Sequence, residues 1–548
     1  MELLQNSTTL PLQGILFCFK VIQPDVIDIW TELSNFTSQR PRLSLVTLFG
    51  ILFSAVFLLT NPDPYNLERI PAISRSRFRD AYSSGVYWRF FIPRLVPYVR
   101  EGYYKYSKKG KPFKVWINAF QSWVYILPQK YLAQVKNQAT SELSCRDLID
   151  EVLAAKFSSG HFDSFEVQVG SKLMNANLTG IKPIVQVRTE QIVQREVGSP
   201  TDWKKFNART LTQSMMKHVS GRVVFGEALA DNAAFLEAMD QYTMQVIPSA
   251  MALRFLYLGP LRTLAVYLLH LRQRRYLTAA TRFVTEDVAE RKRKELASSA
   301  GYEKSVDCVQ WSLDDTIDDS QKSSEAIAHR LLHLSAAIID TPTIGILNLL
   351  YDAAAYPEYL DELRAEITEC LAETDGAWTE ASMSKMRKLD SFMQETFRMN
   401  PGVASLTIWR LVMSDSFRFN DGPAFPKGTK LVFPTMYMMQ DPDIFPEPDK
   451  FDPLRFYRLR EEDRTAGATS ATNRKGDIRY EWFTFGYGRQ ACPGRFYSLR
   501  LMKTIFGELI LRYDIRYAGS DQSRRPTLDL EPVLAPDPRA EIEFRVRG

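Results

Sequence analysis

The chain has 548 residues, 45% of them hydrophobic and 24% charged, with a formal net charge of +5. That length and apolar content allow a large core, and a mild charge with no basic run interleaved with aromatics argues against nucleic-acid binding. Five scattered cysteines (Cys18, Cys145, Cys308, Cys370, Cys492) form no disulfide framework, and the five histidines show no zinc spacing.

Residues 1–42 precede an uncharged run, 43–60, rich in Leu, Phe, Val and Ile. Its eighteen residues would span about 27 Å as a helix, close to a hydrocarbon core of ~30 Å. This predicts a membrane anchor, with a buried core helix as the alternative. Prolines at 62, 64 and 71 make residues 61–75 a stiff hinge. Arg69, Arg75, Arg77 and Arg79 follow the run, against Arg40 and Arg42 before it. The positive-inside rule therefore puts residues 76–548 in the cytoplasm and residues 1–42 in the lumen. Asn6 and Asn35 are then glycosylation acceptors, whereas Asn177 would stay unmodified.

Lys111 to Pro128 alternates and is aromatic-rich, which predicts a two-stranded hairpin. From about 140 to 355 the periodicity is mostly helical. The basic run Arg291-Lys292-Arg293-Lys294 reads as a solvated helix face, the polar stretch 301–323 as a loop, and 461–481 as a surface insertion. A long apolar helix from near Glu325 to Tyr351 contains Asp340-Thr341-Pro342. Asp and Thr compete with the helix for backbone bonds, and Pro removes a donor. A kink with room for a small ligand is predicted there.

Glu395 and Arg398 stand three apart on one face of a helix among Phe392, Met393 and Phe397, which suggests partial burial. Phe451-Asp452-Pro453-Leu454-Arg455-Phe456 follows, and then the most informative segment, Phe485-Gly486-Tyr487-Gly488-Arg489-Gln490-Ala491-Cys492-Pro493-Gly494. A cysteine in a glycine-punctuated loop before a helix can hold a haem iron as a thiolate. Glycines let the backbone come close to a flat macrocycle. Two other readings compete. Gly486 to Ala491 also fits a loose dinucleotide fingerprint, but the acid at the right distance, Glu508, lies in a helical pattern. The other is a plain turn with a buried structural cysteine.

Taken as a set and in this order, these segments resemble the cytochrome P-450 family, the haem-thiolate monooxygenases. Phe485, Gly488, Cys492 and Gly494 match the family's loop, Phe-x-x-Gly-x-Arg-x-Cys-x-Gly, with Gln490 where a cation usually pairs with a haem propionate. The resemblance implies Cys492 as axial iron ligand, with Phe485, Gly488, Gln490, Gly494 and Arg410 also binding the haem, and Arg188 as a further propionate candidate. Asp340 and Thr341 take the positions of the family's proton-delivering acid and threonine. Ala337 takes the first position of that motif, and Ile338 replaces the usual glycine. Glu395, Arg398 and Arg455 correspond to a structural cluster that locks the cysteine loop. Ala336, Ala337, Val403, Ala404 and Leu406 fall at substrate-pocket positions.

The expected fold is mainly α with a small β lobe, plus one N-terminal transmembrane helix. The implied enzyme is a single-pass protein of the endoplasmic reticulum membrane. Using O2 and electrons from an NADPH-cytochrome reductase, it would insert one oxygen atom into an apolar small molecule. No flavin or nicotinamide domain is appended, so electrons must come from another protein. Details of the cysteine loop, and Val309-Gln310-Trp311, resemble fungal biosynthetic members that act on terpenoids, polyketides or alkaloids. The alternatives are a haem-thiolate isomerase or dehydratase that does not use O2, and a non-catalytic membrane haem-binding protein.

Overall fold

A computed structural model describes residues 70–73, 95–117, 120, 122–153, 167–255, 262–297, 303–315, 323–402, 405–465, 479, 481–530 and 533–548. The expected anchor at 43–60, both luminal glycosylation acceptors and most of the hinge lie outside these residues, as do Val403 and Ala404.

The helices that frame the site are α1 (Leu95–Lys105), α2 (Cys145–Leu153), α3 (Leu178–Glu196), α4 (Ala208–Phe225), α5 (Ala233–Phe255), α6 (Arg262–Leu269) and α7 (Leu271–Ala297). They continue with α8 (Cys308–Asp314), α9 (Ser324–Ala355), α10 (Leu360–Ala372), α11 (Arg387–Met399), α12 (Arg455–Thr465) and α13 (Arg495–Arg512). Strands β1 (Phe113–Ile117), β2 (Ser122–Ile126), β3 (Leu143–Ser144), β5 (Thr407–Val412) and β8 (Lys430–Phe433) form one sheet in the order β1-β2-β8-β5-β3. β2 and β8 pair in parallel, and a parallel bridge joins Ala72 to Lys114 of β1; the predicted hairpin is the antiparallel pair β1-β2. A second sheet joins β4 (Lys204–Asn207), β12 (Glu541–Val546) and β9 (Tyr513–Tyr517). β6 (Ser416–Arg418) pairs with β7 (Ala424–Pro426), and β10 (Thr527–Leu530) with β11 (Val533–Pro536).

Two apolar cores result, one helical and centred on α9, the other beneath the five-stranded sheet. The Ser323 side chain caps α9 by accepting from the Ala326 N–H at 3.1 Å. At 32 residues, α9 is about 48 Å long. It is long and apolar enough to cross a membrane, but 72% of its apolar window is buried inside the molecule, against α4, α7, α11 and α13. It is a core helix.

The helix carries its proline within one continuous span: α9 runs from Ser324 to Ala355 with Pro342 inside it. The Thr341 and Thr343 hydroxyls each donate to the carbonyl four residues back, at 2.7 Å, on either side of the carbonyl that Pro342 leaves without a donor. Two expectations change. The stretch read as a loop at 301–323 contains α8. Its cap, Asp307, accepts from the Gln310 N–H at 2.8 Å and from Arg291 at 2.7 Å. Arg291 is therefore buried in an ion pair, not on a solvated face.

Candidate active site

The Cys492 loop is made by glycines at the points where the chain bends back. Gly486 and Gly488 have φ of 75° and 72°, a region costly for other residues. A Cβ on Gly488 would lie 2.2 Å from the Lys136 carbonyl oxygen. The Arg489 N–H donates to that same oxygen at 2.7 Å, and the Cys492 N–H donates to the Phe485 carbonyl at 2.7 Å. Gly494 then caps α13. Cys492 has open surface although protein atoms enclose it deeply. Burial pushes its thiol above the ordinary value. Backbone N–H groups of Gly494 and Arg495, and the Arg495 guanidinium, partly offset this. A sulfur placed among N–H donors at a helix start is suited to the thiolate form that binds metal.

The structure brings Glu395, Arg398 and Arg455 together. Arg398 donates to the two oxygens of Glu395 at 2.7 and 2.8 Å, and Arg455 reaches them at 3.2 and 3.3 Å. Arg398 also donates to the Met439 carbonyl at 3.0 Å, and Arg455 to the Pro446 carbonyl at 2.6 Å. The cluster therefore ties α11 and the start of α12 to the intervening meander. Phe397 of α11 continues towards the cysteine loop, with its ring centroid 6.1 Å from Trp482, which in turn lies 6.4 Å from Phe485.

Arg410 is 1% exposed. It donates to the carbonyls of Trp409 at 2.7 Å and Tyr487 at 3.1 Å. Its Nε has no partner, and no carboxylate pairs with it among the described residues. Burial lowers its pKa from the usual value. A buried guanidinium with an orphaned donor calls for an anion, as a haem propionate would be. Its direction is set locally. Between Thr407 and Arg410 the pairing of β5 with β8 slips, and Ile408 takes a φ of 57°. For a β-branched residue that is strained backbone, and the bulge re-aims the strand where Arg410 leaves it.

On α9 one stripe is accessible within an otherwise buried segment: Ala336, Ala337, Asp340, Thr341 and Ile344. Their spacing follows one helix face, so they form a single accessible surface on an otherwise buried stretch of helix. Gly345, four residues beyond Thr341, seats α13: a Cβ there would lie 2.5 Å from the Met502 sulfur. Sequence alone gives Thr341 a donor's role, yet its proton goes to the Ala337 carbonyl, which leaves its oxygen as an acceptor. Asp340 is half-exposed by area but deep among protein atoms. Burial pushes its carboxyl up to about 7, Asp240 adding repulsion and Arg209 offsetting part.

Other expected site residues are placed differently. Both N–H donors and the oxygen of the Gln490 carboxamide bond to backbone groups of 138–145. Arg188 is paired with Asp231, so a carboxylate already meets its charge, although its Nε has no partner. Leu406 is 1% exposed within the sheet-lobe core, so it does not line an open pocket. Glu508 lies in α13, accepting from Trp378 at 2.7 Å and Arg512 at 2.9 Å. The dinucleotide reading needs an acid at a strand end, and falls on that placement. Sequence reasoning missed the Ile408 bulge and the Gln490 contacts, since neither leaves a local signal.

Comparison with known proteins agrees with this geometry. A family model for cytochrome P-450 matches residues 168–544. An aspergilol synthase of Aspergillus ustus is 58% identical over 519 residues, covering 94% of both chains. The cytochrome P-450 monooxygenase sttB of Aspergillus terreus is 43% identical over 526 residues, covering 95% of this chain and 98% of its own. The cytochrome P-450 monooxygenase sirB of Leptosphaeria maculans is 34% identical over 521 residues, covering 92% and 96%. Among solved structures, a retinoic-acid-bound cyanobacterial CYP120A1 superposes with a TM-score of 0.60 at 15% identity, covering 84% of this chain and 96% of its own, which supports the fold alone. With a sulfur set among N–H donors, a buried guanidinium lacking an anion and an accessible acid–threonine stripe, this chain belongs to the cytochrome P-450 family as a haem-dependent monooxygenase.

Proposed function

We propose that this enzyme inserts one oxygen atom of O2 into an apolar small molecule of terpenoid, polyketide or alkaloid type, in a fungal biosynthetic pathway. The observation that carries this is the Cys492 sulfur among the N–H groups of Gly494 and Arg495, with the orphaned Arg410 guanidinium beside the same loop at Tyr487. Cys492 would hold the haem iron and Arg410 a propionate. When bound, the haem supplies oxygen activation and one-electron chemistry.

The protein's own contribution is proton handling and exclusion of water. A carboxyl with a pKa of about 7 both takes up and releases a proton at neutral pH. Asp340 thus accepts a proton from the side of Asp240 and Arg209 and passes it, through water, towards Thr341 Oγ1. That oxygen, its own proton donated to Ala337, accepts and orients the incoming donor. Ala336, Ala337 and Ile344 give the stripe an apolar lining that favours an apolar substrate.

An NADPH-cytochrome reductase is the proposed electron source and the endoplasmic reticulum membrane the proposed location. Residues 43–60 would form the single anchor and residues 61–75 the hinge. A second feature supports lipid contact. Leu264, Tyr267, Leu268 and Leu271 are exposed at helical spacing over α6 and the start of α7, next to Arg272, Arg274 and Arg275.

The test is reconstitution of the full chain with a reductase, NADPH and isotopically labelled dioxygen. Product carrying the label, together with the red-shifted thiolate band of the reduced carbon monoxide complex, is the expected result. Turnover without dioxygen would favour an isomerase or dehydratase, and would overturn this reading.

A further inference from the structure

We propose that Gln490 is a positioning residue that fastens the cysteine loop to the strand pair bearing Arg410, and that it makes no contact with a haem propionate. The inference rests on Cys492 being the haem ligand. It concerns the position where this chain departs from the family's usual cation.

The Gln490 side chain uses both of its N–H donors and its oxygen on backbone from one segment. Its Oε1 accepts from the Cys145 N–H at 2.7 Å, and its Nε2 donates to the Leu143 carbonyl at 2.6 Å and the Gln138 carbonyl at 3.3 Å. A carboxamide has two donors and one acceptor atom, so nothing remains to donate to an anion. A guanidinium or imidazolium could not replace it, because neither can accept from Cys145.

The partners matter because of what they lead to. Leu143 and Ser144 are β3, which pairs with β5 at Val412 and Leu411, next to Arg410. The Glu142 carbonyl also accepts from the Met413 N–H at 2.8 Å. Arg410 closes the circuit by donating to Tyr487 at 3.1 Å, back in the cysteine loop. The sulfur and the buried cation are therefore fixed relative to each other by two routes, one through the Gln490 amide and one through Arg410. The close approach of Gly488 and Arg489 to Lys136 brings the loop near enough for the amide to reach. The loop thus has three neutral bonds at the position where the family usually has a cation.

The test uses the full-length holoenzyme and three variants, with hydrogen exchange at the Cys145 amide and the rate at which the reduced carbon monoxide complex loses its thiolate band. Gln490→Ala should speed exchange at Cys145 about tenfold, the loss of one net hydrogen bond, and speed band loss. Gln490→Glu keeps the acceptor but not the donors. It should preserve Cys145 protection while still speeding band loss. Gln490→Arg should behave like Gln490→Ala despite restoring the cation. Unchanged Cys145 protection in Gln490→Ala, or a Gln490→Arg variant with a more durable thiolate band than the parent, would overturn the proposal. A parent protein without the thiolate band would instead overturn the haem-ligand reading, with the exchange measurement still reporting on the Gln490 contacts.

Discussion

The Glu395 carboxylate lies 2.7 and 2.8 Å from the Arg398 guanidinium, and neither side chain has any exposed surface. Removing one partner of such a pair strands the other without compensation, at roughly 3–5 kcal/mol. Glu395→Gln is therefore expected to lower the melting temperature sharply and to yield protein short of haem. The haem-to-protein ratio and a thermal melt measure this, and normal values for both would remove the cluster's assigned role.

Arg410 makes a prediction whose sign depends on the cofactor. Without haem, its guanidinium is a buried charge lacking an anion, and replacing it with leucine should leave stability unchanged or raised. With haem, Arg410→Leu loses a charged hydrogen bond, about 1.5–3 kcal/mol, so haem should leave at least tenfold faster. Equal haem release from both proteins would show that Arg410 does not meet a propionate.

Thr341→Ala removes the oxygen proposed to receive and orient the proton donor. Product formation should fall on the order of a hundredfold while NADPH consumption continues. Thr341→Ser should restore most of the coupling, because serine can make the same bond to the Ala337 carbonyl. Unchanged product per NADPH in the alanine variant would place proton delivery elsewhere.

Asp340 has a folded-state pKa of about 7, above its ordinary 3.8. Between those values the folded state holds a proton that the unfolded state has lost. This group's contribution to stability thus falls as pH rises through that window, by at most about 1.4 kcal/mol per pH unit, and is flat above it. Asp340→Asn should be most stabilising, relative to the parent, above pH 7, and should lose that advantage towards pH 4. The same variant should flatten the neutral-pH inflection in product formation. Parallel stability profiles for the two proteins would contradict the raised pKa.

What could be read from the sequence was what local pattern carries. The cysteine loop, the Glu395–Arg398 pair and the β1-β2 hairpin each declare themselves within about a dozen residues. The errors fell where distant residues decide. Helix α8 has seven residues and depends on Arg291, sixteen positions from its cap, so its local polarity read as a loop. Arg188 is met by Asp231, which lies in a turn 43 residues further along the chain. Leu406 sat in a segment with pocket-like composition, but packing turned it into the sheet-lobe core. Gln490 finds its partners 345 to 352 residues away, beyond any window.

The parallel pairing of β2 with β8 joins Val124 to Lys430. During synthesis on the ribosome, an aromatic hairpin therefore emerges some three hundred residues ahead of the strand that covers its edge. An open edge of that kind invites association with other nascent chains. Added chaperone should therefore raise the yield of folded chain, because it covers this edge for the time that it stays open.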